Sequence, residues 1–108
     1  MNKLVGYARI GSYSQVAQAS SRLQEQREKL AGVGCVRVFE EVASGRDSLT
    51  ERVALSKALN CLSRGDTLVV VDTARLSRCM LHTGTLLRML EEEGISLWAL
   101  DGLHIIAS

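Results

Sequence analysis

Apolar residues along the 108-residue chain fall into short runs separated by segments of helical spacing. KLVGYARI (3–10) is rich in strand formers and bounded by Gly11, which predicts a first strand. SRLQEQREKLAG (21–32) predicts a helix. Ser21 and Gln24, three residues apart, form a capping-box pattern, and Gly32 is a stop. CVRVF (35–39) predicts a second strand, followed by a polar loop, EEVASGRDSLT (40–50). A second helix, ERVALSKALNCLSR, follows from cap Thr50, with Val53, Ala54, Ala58, Leu59 and Leu62 on its core face and Gly65 beyond it. DTLVVVD (66–72) is an almost continuous apolar run, the mark of a strand covered on both faces. Residues 77–93 carry helical spacing with Leu86, Leu87 and Leu90 toward the core, Gly94 stops the helix, and ISLWAL (95–100) is a further strand.

The resulting βαβαβαβ order implies right-handed crossovers between parallel strands. The predicted fold class is α/β, a three-layer αβα arrangement with a mainly parallel sheet of four or five strands.

Composition narrows the function classes. One domain over 1–108 is enough to bury an ordinary core without metal or disulfide support. A net charge of +1 makes any polyanion site a matter of local arginine clustering rather than of overall field. No run approaches the roughly 20 apolar residues of a membrane span, and no signal peptide opens the chain, so no membrane role and a cytoplasmic location are expected. Cys35, Cys61 and Cys79 are odd in number and widely spaced, which fits buried, reduced thiols better than a zinc site or a disulfide framework. Glu91–Glu93 reads as a solvated helix face, and His82 and His104 have no neighbouring nucleophile or acid in sequence. No metal and no cofactor are expected.

In a parallel sheet the carboxyl ends of the strands share one edge, where ligands bind. Arg9 lies near the end of the first strand, and Gly11, Ser12, Ser14 and Gln15 follow it. Ser44, Gly45, Arg46 and Arg52 follow the second strand, and Arg75, Ser77 and Arg78 follow the third. Guanidinium groups bind phosphate oxygens through paired N–H donors and stay charged while a phosphoryl transition state gathers negative charge. A nucleophilic hydroxyl among them needs no metal ion.

GYARIGSYSQ, SG…ER…L and RLSR, in this order and joined by AGVG and GDTLVV, resemble the N-terminal catalytic domain of the serine recombinases, the resolvase/invertase family. The resemblance covers essentially the whole chain. Tyr7, Ala8 and Arg9 match the family's first-strand motif, Gln15 its downstream glutamine, and Gln26 the glutamine of its first helix. Ser44, Gly45 and Arg52 match its Ser-Gly loop and following arginine, and Arg75, Leu76 and Arg78 its later arginine motif. It implies catalytic roles for Arg9, Arg52, Arg75 and Arg78, and phosphate contact by Tyr7, Gln15, Gln26 and Ser44, to which the edge pattern adds Arg46. The implied reaction is attack of a serine hydroxyl on a DNA phosphodiester and strand exchange in a dimer-derived tetramer, with DNA as partner.

Three features depart from the family pattern. Gly11 stands where the nucleophilic serine is usual, which makes Ser12 a candidate displaced nucleophile. Ala74 stands where an aspartate is usual, and the sequence stops at Ser108, where the family continues into a dimerisation helix and a DNA-binding domain. The alternatives are a degenerate regulatory relative that pairs without cleaving, and a non-enzymatic flavodoxin-like anion-binding module.

Overall fold

The computed structural model describes residues 2–10, 16–42, 53–72, 84–102 and 104–105. Its elements are β1 (Leu4–Ile10), α1 (Val16–Gly32), β2 (Cys35–Val42), α2 (Val53–Cys61), β3 (Thr67–Val70), α3 (Thr85–Glu93), β4 (Ser96–Ala99) and β5 (His104–Ile105). The strands form one sheet in the order β2–β1–β3–β4–β5, with the first four parallel and β5 antiparallel to β4. This is the open α/β sheet expected from the alternating pattern, with the fifth strand present.

Strand alternation divides the core between the two faces of the sheet. Val5 and Tyr7 of β1, Leu68 and Val70 of β3, and Leu97 and Ala99 of β4 pack against Leu55, Ala58 and Leu62 near α2 and Leu86 and Leu90 of α3. Ala8 and Val69 pack on the other face with Leu30 of α1. Gly6 permits that helix to lie close: a Cβ there would come within 3.1 Å of Leu30 and 3.2 Å of Val38. The near-continuous apolar character of β3 thus has the cause read from it, a strand covered on both sides.

Several boundaries differ from those predicted, each for a local reason. Helix α1 begins at Val16, so Ser21 lies inside it and is not a cap. Val16, Ala17, Gln18 and Ala19 include no glycine or proline to stop the helix extending back. Strand β2 continues to Val42, through Glu40 and Glu41, because both acids have partners: Arg27 Nε lies 3.0 Å from Glu40 Oε1, and Glu41 is paired as described below. Helix α2 ends at Cys61 rather than Arg64, where the Ser63 N–H turns to Asp66 Oδ2 at 2.8 Å. Of its predicted core face, Ala54, Ala58, Leu59 and Leu62 pack on the core, and one position differs. Leu55 is fully buried, while Val53 is 58% exposed.

The third helix does not run through Gly84, which precedes it as the N-cap with φ 71°. Gly94 ends it with φ 72°, donating its N–H back to the last turn, as a glycine C-cap does. The predicted caps and helical residues at Thr50, 51–52 and 77–83 lie outside the described residues. Glu91, Glu92 and Glu93 are exposed, as a solvated face requires. Cys35 and Cys61 are half-buried free thiols, and burial pushes the Cys35 thiol up to about 11. Cys35 is therefore a neutral thiol at physiological pH.

The amino-terminal ends of the strands meet at Asp66, which is 1% exposed. Its carboxylate accepts the Lys3 backbone N–H at 3.0 Å, Lys3 Nζ at 2.8 Å and the Ser63 N–H at 2.8 Å. Burial alone would raise this carboxyl, but the hydrogen bonds and charge of Lys3, with the Ser63 N–H, outweigh it and hold Asp66 at about 2.

Candidate functional site: the carboxyl edge of the sheet

Parallel pairing aligns Ile10 with Val42 and Tyr7 with Val70. The carboxyl ends of β1, β2 and β3 therefore lie at one edge, as the sequence pattern requires. The residues that precede the arginine-bearing segments are thus neighbours. Ser12, Gln15, Ser44, Arg46, Arg52, Arg75 and Arg78 themselves lie outside the described residues. Arg9, Tyr7 and Gln26 lie within them.

Arg9 is 7% exposed and sits one residue before the end of β1. Alternation gives it the same face as Tyr7 and Val5, the face covered by α2 and α3. Strand β3 pairs with β1 only as far as Tyr7, so the peptide groups beyond that point need other partners. Gln26, reaching from α1, supplies them. The Arg9 N–H donates to Gln26 Oε1 at 3.0 Å, and Gln26 Nε2 donates to the Arg9 carbonyl at 3.0 Å. A primary amide offers one acceptor and one donor side by side, which lets it complete a peptide edge as a neighbouring strand would.

Tyr7 is fully buried, and its hydroxyl donates to Glu41 Oε2. Glu41 lies directly across from Arg9 in the β1–β2 register. The same carboxylate accepts the N–H groups of Ala54, at 3.1 Å to Oε1, and Leu55, at 3.3 Å to Oε2. These amides belong to the first turn of α2, which has no intrahelical acceptors for them. A carboxylate there also suits the positive end of the helix dipole.

The sequence reading puts Tyr7 and Gln26 at the phosphate. In the structure the Tyr7 hydroxyl donates to Glu41 and both ends of the Gln26 amide pair with the Arg9 peptide. Glu41 was missed because two consecutive acids read as the start of a loop. A weak signal was present: Val36, Val38 and Val42 share one parity, so strand alternation continues past the acids. Among the described residues no group of three or more His, Cys, Asp or Glu is placed to hold a metal ion, and no helix is long and apolar enough to cross a membrane.

The model of the resolvase N-terminal domain family matches residues 4–106. The chain belongs to this family. A DNA-invertase of Enterobacteria phage P7 is 42% identical over 93 residues, which are 86% of this chain and 46% of that protein. The serine recombinase gin of Escherichia phage Mu is 39% identical over 93 residues, with the same share of each. The resolvase-family chain thus spans about half the length of these relatives. Among solved structures, a serine recombinase from Sulfolobus solfataricus superposes with a TM-score of 0.74 at 20% identity, over 95% of this chain and 71% of that one. The N-terminal catalytic domain of TP901-1 integrase gives 0.68 at 20% identity, over 93% and 78%. These two show that the sheet and its flanking helices are those of serine recombinase catalytic domains.

Proposed function

We propose that this chain is the catalytic domain of a site-specific DNA recombinase of the resolvase/invertase type, with its arginines holding a DNA phosphate at the carboxyl edge of the sheet. The observation that carries the reading is Arg9, a nearly buried arginine at the end of β1 whose peptide groups are both held by Gln26. A guanidinium is costly to bury, and a site that fixes its backbone twice suits a group meant to meet an anion in one geometry. Arg52, Arg75 and Arg78 join it as catalytic residues. Gln15, Ser44 and Arg46 are further phosphate ligands in this reading.

The chemistry is a transesterification. A serine Oγ attacks phosphorus, the P–O3′ bond breaks, and the hydroxyl proton ends on the departing 3′ oxygen. The protein is left joined to the 5′ phosphate. Arginines stabilise the charge that gathers on the non-bridging oxygens, and no cofactor or metal is required. Paired subunits then exchange strands before the reverse step. The expected partners are duplex DNA and further copies of the chain, brought together by a dimerisation helix like that of the family.

Gly11 and Ala74 favour a second reading, in which the domain pairs with active subunits and holds DNA without cleaving it. One experiment separates the two. On nicked suicide DNA, with the dimerisation helix of a relative supplied, Gly11→Ser is expected to give a covalent protein–DNA adduct and the unaltered chain little or none. An adduct from the unaltered chain that Ser12→Ala abolishes would make Ser12 the nucleophile. No adduct from any variant, together with DNA binding unaffected by Arg9→Ala, would overturn the phosphate site itself.

A further inference from the structure

We infer that Glu41 is a positioning residue, a carboxylate clamp that sets the start of α2 against the strand bearing Arg9. The inference rests on the proposal that Arg9 and Arg52 serve one phosphate. Three elements meet at this carboxylate. It belongs to β2, it receives the Tyr7 hydroxyl from β1, and it receives the Ala54 and Leu55 N–H groups from α2. Val53 is the first residue of α2, and Arg52 is joined to it by a single peptide bond. Tyr7 stands two residues from Arg9 on the same strand face. The clamp thus ties the strand of Arg9 to the first turn of α2 through two side chains, Tyr7 and Glu41.

Its chemistry is suited to the task. Each Glu41 oxygen accepts a different N–H of the first helical turn, which fixes the direction of the turn as well as its distance. The hydroxyl of fully buried Tyr7 restrains the carboxylate from the strand side. Glu41 itself has no attraction for DNA, because its charge is of the same sign as the phosphate's. That sign makes the clamp testable.

By charge alone, Glu41→Gln should tighten binding to a short DNA duplex, since it removes a negative group from the neighbourhood of a polyanion. The clamp predicts the reverse. Measured by fluorescence anisotropy on the folded chain, well below each variant's unfolding midpoint, Glu41→Gln should weaken binding about tenfold and lower the salt slope by about one phosphate contact. Tyr7→Phe keeps the carboxylate and should weaken binding by a smaller factor in the same direction, which keeps the test open if Glu41→Gln folds poorly. Amide exchange at Ala54 and Leu55 should quicken in both variants, which reads the clamp directly and without DNA. Equal or tighter binding with an unchanged salt slope would overturn the clamp. If instead the unaltered chain binds DNA no better than Arg9→Ala and Arg52→Ala do, the phosphate reading fails, and the exchange data still report on the clamp.

Discussion

At the scale of single residues, the polar side chains buried in this domain hold the backbone in place. Gln26, Glu41 and Asp66 each accept peptide N–H groups at a strand or helix end. Asp66 gives the clearest consequence for pH. Its folded-state carboxyl lies at about 2, below its ordinary 3.8. The stability it contributes is therefore complete above about pH 4 and is lost as pH falls toward 2. Denaturant unfolding followed from pH 6 down to pH 2 should show the wild-type midpoint dropping through this window. Asp66→Asn should start lower at pH 6 and lose less on the way down. The role of such residues is hard to read from sequence. Arg9, Tyr7 and Gln26 stand out as motif members, but nothing in their spacing says that the Gln26 amide pairs with the Arg9 peptide. Long-range partners such as Arg9 and Gln26, or Tyr7 and Glu41, exist only once the sheet has formed.

At the scale of elements, the period of the apolar positions was enough to place the three helices and four parallel strands seen among the described residues, since parallel strands buried on both faces and amphipathic helices leave different patterns. Boundaries were less legible because they depend on partners distant in sequence. Helix α2 shows the limit well. Ala54, Ala58, Leu59 and Leu62 face the core as read, but Val53 at the start of the helix is exposed and Leu55 is buried. The burial of Leu55 and exposure of Val53 predict opposite outcomes for two similar substitutions. Leu55→Ala should cost about 2–5 kcal/mol in urea unfolding, since it empties a fully enclosed site. Val53→Ser should stay within about 0.5 kcal/mol, because it removes only surface contact. The shared carboxyl edge was legible in the same way. Alternating βα order brings the carboxyl ends of β1, β2 and β3 together whatever the details of the segments that follow.

At the scale of the whole molecule, β1 is the hub. It is flanked by β2 on one side and β3 on the other, and each of its ends is held by side chains from elsewhere. The contact between Lys3 and Asp66 spans 63 residues of sequence. Closing so long a stretch is slow in entropy terms, and parallel pairings of this kind place a domain among the slower folders. An ion pair with so distant a partner is expected to form after the rate-limiting step. Lys3→Met should therefore speed unfolding and leave the refolding rate almost unchanged in stopped-flow chevrons.

The order of the strands has a further consequence during synthesis on the ribosome. Leu4–Ile10 is made first, yet one of its two neighbours is not complete until Val70 has been added. Until then, one whole side of an apolar strand has peptide groups with no sheet partner, a surface that invites pairing with other nascent chains. Chains interrupted before Thr67 should therefore be the ones that chaperones hold and proteases clear.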